Sequence, residues 1–207
     1  MKSFFNESIT IAGKVIGAEQ EPYIIAEMSA NHNGSIDNAF RIIDAAKSAG
    51  ADAVKLQTYH PDTITINCKN EEFMITKGLW AGQSLYELYE KAHMPWDWHK
   101  PLFEYARKIG ITIFSSPFDK TAIDLLEGLG CPAYKIASFE IIDHELIKYA
   151  AETGKPLIMS TGMASLEEIS EAVLVAQDAG CKQLALLHCV SGYPSDPADY
   201  NLVTLKS

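Results

Sequence analysis

The stretch that decides the fold is residues 130–162, GCPAYKIASFEIIDHELIKYAAETGKPLIMSTG. It contains a glycine, a short apolar run, a helical segment, a second glycine at Gly154 and a second apolar run from Pro156 to Ser160. A glycine just past a helix adopts the left-handed conformation that ends it, and short apolar runs between such breaks indicate buried strands. The stretch therefore predicts a strand, a helix and a second strand parallel to the first.

The same pattern recurs along most of the chain. Five helical segments end in a glycine, and these are Gly50, Gly110, Gly130, Gly154 and Gly180. An apolar run follows each one, and the runs are Ala53 to Gln57, Ile111 to Ser115, Ala133 to Ala137, Pro156 to Ser160 and Gln183 to His188. A first run, Tyr23 to Glu27, precedes the series. Six strands alternating with helices predict an α/β fold with parallel strands.

Two architectures fit this alternation, a (β/α)8 barrel and an open doubly wound sheet. Polar residues follow nearly every predicted strand, and no glycine-rich dinucleotide motif or phosphate-binding loop follows any of them. A barrel draws its site from many strand ends, whereas an open sheet concentrates it at one switch point. We therefore predict a TIM barrel that is incomplete in this chain, with about six βα units in 207 residues, because a complete barrel takes about 250 residues.

Two further segments are predicted outside the repeat. Residues 8–15 could form a small hairpin at the bottom of the barrel, and residues 59–99 form a long insertion between the second and third strands. The insertion contains all three tryptophans, and its stretch from Ser84 to His93 has a helical pattern.

The composition excludes several classes of protein. The chain has 17 basic and 27 acidic residues and a formal net charge of −10, with no basic cluster, so we expect no nucleic-acid partner. No apolar run approaches the roughly 20 residues that span a bilayer. The first ten residues lack the apolar core of a signal peptide, and the four cysteines form no CxxC pair, so we expect a cytoplasmic protein with free thiols.

Two lysines lie inside predicted strands. In the second strand, period two places Lys55 and Gln57 on one face and the neighbouring apolar residues on the face toward the helices. Lys135 occupies a similar place in the fourth strand. A lysine is almost never buried without a partner, so Lys55 could pair with Glu27, bind an anionic ligand or serve as a Schiff-base amine. Two interior cations in an acidic protein favour a small anion such as a phosphate or a carboxylate.

Hydroxyl groups follow the same strands. Ser116 ends the third strand and Ser160 ends the fifth, and serines near helix starts commonly bind phosphate or cap the helix. Ser165 has Glu168 three residues later, which is a capping box and requires no catalytic role. Cys189, after the sixth strand, is by default a packed thiol.

The motifs, taken in order, resemble those of the sialic acid synthase (NeuB) family across nearly the whole chain. They are residues 25–27 (IAE), 31–34 (NHNG), 55–58 (KLQT), 115–118 (SSPF), 134–138 (YKIAS), 160–163 (STGM) and 187–194 (LHCVSGYP). Within the family, residues 27–31 and the insertion at 78–98 are more similar to the pseudaminic acid branch than to the N-acetylneuraminate branch.

The resemblance implies a condensation of phosphoenolpyruvate with an amino-sugar aldehyde that releases phosphate. It implies that phosphoenolpyruvate is bound by Lys55, Ser116, Lys135, Ser138, Ser160 and Ser191. Other members have Asn at the position of Ser191. Glu27 would assist proton transfer, Gln57 and Glu140 would order water and aldehyde, and Tyr193 would contact the sugar.

The resemblance also implies parts of the family's architecture that are not expected within these 207 residues. The family uses a divalent metal, usually Mn²⁺, and its histidine ligands are expected beyond Ser207, so no metal ligand is predicted within the chain. The small C-terminal antifreeze-like (SAF) domain is expected to be absent, and a homodimer is expected for the full-length protein. Three hypotheses remain open, namely the synthase, a Schiff-base aldolase that uses Lys55 or Lys135, and a non-catalytic fragment.

Overall fold

The computed structural model describes residues 4–192 and 194–206. The strands are β1 (Ile9–Ile11), β2 (Lys14–Ile16), β3 (Ile25–Glu27), β4 (Ala53–Thr58), β5 (Thr112–Pro117), β6 (Tyr134–Ile136), β7 (Leu157–Ser160) and β8 (Leu184–Leu187). The α-helices are α1 (Ile36–Ser48), α2 (Pro61–Ile64), α3 (Leu85–Ala92), α4 (Trp96–Ile109), α5 (Lys120–Gly128), α6 (His144–Glu152) and α7 (Leu166–Asp178). Short 3₁₀ segments cover Glu71–Phe73, Phe139–Ile142, Pro197–Asp199 and Leu202–Lys206.

The six predicted strands are all present, each within two residues of its predicted bounds. The five glycines that predicted the helix ends have φ between 70° and 90°, the left-handed conformation expected of them. The chain divides into two compact units, one formed by Tyr23–Cys131 and the other by residues 1–22 together with 132–207.

In the Tyr23–Cys131 unit, β3, β4 and β5 are parallel neighbours in chain order. Helices α1 and α4 pack against each other and against the strands through apolar faces that include Ile43 and Phe103. Ser35 caps α1 by accepting a hydrogen bond from the Asn38 amide, which places Asp37 in the first turn.

The insertion folds within the same unit. It contains α2 and α3, and the backbones of Ile75 and Gln83 pair to bring the two sides of a loop together. Ser84 and Glu87 form a capping box at the start of α3, which confirms the helix expected over this stretch.

In the other unit, β6, β7 and β8 are again parallel neighbours in chain order. The predicted N-terminal hairpin is present as β1 and β2, with Ile9 and Ile11 buried. The Thr10 amide donates to Oε1 of Gln183, so the hairpin is attached beside the start of β8. None of the helices in the described ranges is long and apolar enough to cross a membrane.

Candidate functional site

In the Tyr23–Cys131 unit the site is organised around Lys55. Its ammonium group lies 2.7 Å from the carboxylate of Glu27 and 3.3 Å from Oγ of Ser116. The Lys55 side chain is 6% exposed, whereas that of Glu27 is 51% exposed. A buried cation thus has one anionic partner that is still open to solvent.

Strand register explains this arrangement. Glu27 of β3 is aligned with Lys55 of β4, and Gln57 of β4 is aligned with Ser116 of β5. Alternate residues of a strand point to opposite sides, so these side chains share one side of the strands while Leu56 packs on the other. The pairing of Lys55 with Glu27 that the sequence left open is therefore present, and it leaves Gln57 half-buried on the same side.

A second polar cluster lies on the opposite side of β4 and β5. Oγ1 of Thr58 is hydrogen-bonded to Nε2 of His99 on α4, at 2.8 Å, and to Oγ of Ser115, at 2.7 Å. All three residues are buried, and burial lowers the pKa of His99 to about 4. The adjacent residues Ser115 and Ser116 thus have different surroundings, because the Ser115 hydroxyl is bonded to Thr58, which also bonds His99, and the Ser116 hydroxyl is bonded to Lys55.

His32 follows β3 in a turn. Its Nδ1 accepts a hydrogen bond from the Gly34 amide at 3.1 Å, and its ring packs edge-on against Trp98. Burial lowers the pKa of His32, with a smaller contribution from the charge of His93. These contacts are those of a turn-stabilising histidine.

In the unit that contains β6 to β8, the environment of Glu140 shifts the pKa of its carboxyl group strongly. Burial raises its pKa to about 7, partly opposed by its backbone hydrogen bond and by the charge of Lys135. Its Oε2 is buried, and none of the described residues forms a hydrogen bond with it. A carboxyl group with this pKa can both donate and accept a proton near neutral pH.

Two serine hydroxyls of this unit approach Gly162, which lies just after β7. A Cβ atom on Gly162 would lie 2.8 Å from Oγ of Ser138 and 3.2 Å from the carbonyl oxygen of Cys189, and it would also overlap Oγ of Ser191. Ser160 is 1% exposed, and its Oγ accepts a hydrogen bond from the Cys189 thiol at 3.3 Å. Cys189 is half-buried. The sequence predicted only a packed thiol, and the structure adds this hydrogen bond to Ser160.

Tyr193 lies outside the described residues. His188, which precedes Cys189, has its Nε2 at 2.8 Å from the Tyr200 carbonyl oxygen.

The described residues do not fit a metal ion. Across residues 4–192 and 194–206, no three His, Cys, Asp or Glu side chains come close enough together to hold one. We therefore derive no step through a metal from these residues.

The sequence did not single out His99, Thr58 or the close approach at Gly162. The signal for Gly162 was available, because a glycine that follows a strand and is not a helix end can mark a site where other atoms approach the backbone. His99 gave no such signal, since its burial depends on how α4 packs on β4 and β5.

Comparison with known proteins places these residues in context. The sequence model described as the NeuB family matches residues 42–207. The chain is 50% identical to the pseudaminic acid synthase of Helicobacter pylori over 186 residues, covering 90% of this chain and 55% of that protein. It is 46% identical to the enzyme of the same name from Campylobacter jejuni serotype O:23/36, covering 91% of this chain and 55% of the relative. The chain thus spans about half the length of the curated relatives it matches.

Solved structures show the same fold. The N-acetylneuraminic acid synthetase of Leptospira borgpetersenii, in complex with citrate, superposes with a TM-score of 0.84 at 33% identity, covering 96% of this chain and 65% of that one. A truncated 3-deoxy-D-arabino-heptulosonate 7-phosphate synthase from Thermotoga maritima has a TM-score of 0.62 at 14% identity, covering 88% of this chain and 56% of that one, and shows the fold alone. The prediction of an incomplete (β/α)8 barrel is confirmed, and in the described ranges α-helices follow the first five of the six parallel strands, whereas only 3₁₀ segments follow β8.

Proposed function

This chain belongs to the NeuB family, and from that premise we propose that it is the phosphoenolpyruvate-binding part of a pseudaminic acid synthase. The reaction joins C3 of phosphoenolpyruvate to the aldehyde carbon of 2,4-diacetamido-2,4,6-trideoxy-L-altrose, adds water at C2 and releases phosphate. The choice of sugar is supported by 46–50% identity to proteins named pseudaminic acid synthase, against 36% for an N,N'-diacetyllegionaminic acid synthase and 32% for an N-acetylneuraminate-9-phosphate synthase.

The observation that carries this proposal is the buried ammonium group of Lys55. A buried lysine requires an anionic partner, and Glu27 supplies it while remaining half exposed. The Ser116 hydroxyl oxygen accepts a hydrogen bond from the same ammonium group at 3.3 Å, so its own hydrogen can be donated to a ligand. A cation with a hydroxyl beside it suits a phosphate or a carboxylate, and phosphoenolpyruvate carries both.

We propose the same class of ligand contact for Lys135, Ser138, Ser160 and Ser191 of the other unit. Serine hydroxyls and a lysine are donors, and they match the acceptor oxygens of phosphate and carboxylate. The convergence of Ser138 and Ser191 on Gly162 supports this assignment, because it brings two hydroxyls to one backbone position.

Two carboxyl groups are proposed to move protons. Glu27 accepts the hydrogen bond of Lys55 and is open to solvent, so it can exchange a proton with substrate or water once an anion takes over part of the charge of Lys55. Glu140, with its pKa near 7, is proposed to protonate or deprotonate the reacting water and the aldehyde oxygen. Gln57 is proposed to order the reacting water and the aldehyde, and Tyr193 is proposed to contact the sugar.

The reaction of the complete protein is proposed to require a divalent metal whose ligands are supplied by residues other than the described ones. Mn²⁺ is the metal used to test this. Calorimetric titration of the chain with MnCl₂ tests this. We expect no tight one-to-one binding, and a stoichiometric complex would contradict the proposed origin of the ligands.

Two experiments test the function. Calorimetry with phosphoenolpyruvate measures binding to the chain, and Lys55→Met should weaken it at least tenfold, since a charge-assisted contact is lost (~1.5–3 kcal/mol). The exposed Lys69→Met is the matched control and should bind like the wild type.

Phosphate release by the complete protein is then measured with Mn²⁺, phosphoenolpyruvate and each of three sugars, the altrose derivative, the legionaminate precursor and N-acetylmannosamine. Release with the altrose derivative supports the proposal. Preference for the legionaminate precursor would favour a second candidate function, that of an N,N'-diacetyllegionaminic acid synthase. The chain's identities of 36% and 34% to two proteins of that name support this candidate. Borohydride trapping of substrate on Lys55 or Lys135 without metal would instead identify a Schiff-base aldolase.

A further inference from the structure

Ser160 has an unusual hydrogen-bond partner. It is the last residue of β7, it is 1% exposed, and its Oγ lies 3.3 Å from Sγ of Cys189. Cys189 comes from the segment after β8, 29 residues further along the chain. The two side chains therefore meet only because β7 and β8 are neighbours.

The backbone holds this pair in place. Ser160 is aligned with Leu187 in the parallel register of β7 and β8. The carbonyl oxygen of Leu187 accepts two hydrogen bonds from Thr161, one from its amide and one from its hydroxyl, both at 3.0 Å. Cys189, two residues after Leu187, is thereby kept beside Ser160.

The direction of the hydrogen bond matters for what Ser160 can do. A serine hydroxyl has one hydrogen to donate and two lone pairs that accept. When the thiol donates to Ser160, the hydroxyl hydrogen of Ser160 remains available for another acceptor. A phosphate or carboxylate oxygen can only accept, so a serine with its own hydrogen still available is the form that binds such an anion.

The backbone of Cys189 also lies close to Gly162, two residues after Ser160. The carbonyl oxygen of Cys189 would lie 3.2 Å from a Cβ on Gly162, and Oγ of Ser138 would lie 2.8 Å from the same atom. The segment that carries Cys189 thus passes close to the backbone that follows Ser160. A hydroxyl fixed in this way does not have to be ordered when a ligand binds.

We propose that Cys189 is a positioning residue that orients the Ser160 hydroxyl toward an anionic substrate. The proposal rests on the proposed function, which makes Ser160 a contact of phosphoenolpyruvate. Cys189 itself does not touch the substrate in this scheme and forms no covalent bond to it.

A double-mutant cycle on the full chain tests the proposal, with phosphoenolpyruvate affinity read by calorimetry and folding read by thermal melting. The variants are Cys189→Ala, Cys189→Ser, Ser160→Ala and the double variant Ser160→Ala with Cys189→Ala. Cys68→Ala is the control, because Cys68 is also a half-buried free cysteine but lies in the other unit.

We expect Cys189→Ala to weaken phosphoenolpyruvate binding by about three- to tenfold, as the loss of one hydrogen bond would. Cys189→Ser keeps a donor of similar size and should restore affinity to within about twofold of the wild type. In the Ser160→Ala background, Cys189→Ala should have no further effect on affinity, because the group that it orients is gone. Cys68→Ala should bind like the wild type.

Three results would overturn the proposal. Unchanged affinity in Cys189→Ala, with weakened binding in Ser160→Ala, would remove the positioning role and leave the proposed function standing. If Cys189→Ala and Cys189→Ser lost affinity to the same extent and also lost melting temperature to the same extent, the thiol would be needed for packing alone. Absence of phosphoenolpyruvate binding in the wild-type chain would overturn the proposed function, and the positioning role with it.

Discussion

The ammonium group of Lys55 lies 2.7 Å from the carboxylate of Glu27, and the two side chains differ greatly in exposure, 6% against 51%. The pair is therefore a buried cation held by an anion at the surface of the site. This one contact determines both how much the pair stabilises the fold and how far the charge of Lys55 is available to a ligand.

Glu27→Gln should destabilise the protein because it leaves the Lys55 charge without a compensating anion. Since the carboxylate is half exposed, we expect a loss of about 1–2 kcal/mol rather than the larger value of a fully buried pair. Urea unfolding at pH 7.5 measures it. Glu171→Gln is the matched control, because Glu171 is exposed and lies 4.0 Å from exposed His144, and it should change stability by less than about 0.5 kcal/mol. Equal effects of the two substitutions would contradict the assigned role of Glu27.

Glu140 should make folding stability depend on pH in the neutral range. Its pKa rises from 4.5 to about 7 on folding, so the folded chain holds a proton that the unfolded chain loses. The resulting stabilisation is complete below pH 4.5 and is lost as the pH rises through 7. The free energy of unfolding falls by about 1–3 kcal/mol over this range. Glu140→Gln should remove this dependence and be more stable than the wild type at pH 8. Unfolding curves at pH 5 and pH 8 provide the measurement, and parallel losses in both proteins would refute the prediction.

His99 should make folding stability fall as the pH is lowered, which is opposite to the effect of Glu140. Its pKa falls from 6.5 to about 4 on folding, so the unfolded chain takes up a proton that the folded chain does not. The stability that the neutral ring contributes is present above pH 6.5 and is lost as the pH falls through 4, by about 1–3 kcal/mol. His99→Gln should lower stability at pH 7.5 and show a smaller further loss on acidification. Thr58→Val removes the hydroxyl that joins His99 to Ser115 and is expected to destabilise without changing the acid dependence.

Gly162→Ala should impair ligand binding more than folding. The added methyl group would overlap the hydroxyls of Ser138 and Ser191, which must move to accommodate it. We expect phosphoenolpyruvate affinity to fall at least tenfold, as the loss of two hydrogen bonds would cause (~1 kcal/mol each). Gly128→Ala is the control, because that glycine ends α5 and, apart from its chain neighbours and its own helix backbone, no atom of the described residues lies within 4 Å of an added Cβ. It should bind normally and be slightly more stable. Full affinity in Gly162→Ala would show that the two hydroxyls do not bind the ligand.

The strand positions could be predicted because each depends on local sequence. Leu157 to Ser160 is recognisable as a strand from its apolar run and from Gly154 before it, whatever it packs against. The sequence also identified Lys55 as an interior residue, because period two follows from strand geometry alone. Its choice between Glu27 and a ligand as partner could not be predicted, since that depends on the register of β3 against β4.

The amino-acid sequence by itself determined the alternation of six strands with helices, the glycines that end the helices and the family to which the motifs belong. Each of these rests on short-range conformational preferences and on the order of residues along the chain. Tertiary structure alone decided that Thr58 is hydrogen-bonded to both Ser115 and His99 while Ser116 is bonded to Lys55, and that Cys189 meets Ser160. These contacts join residues 29 to 61 positions apart, and only the pairing of neighbouring strands and the packing of α4 bring them within hydrogen-bond distance.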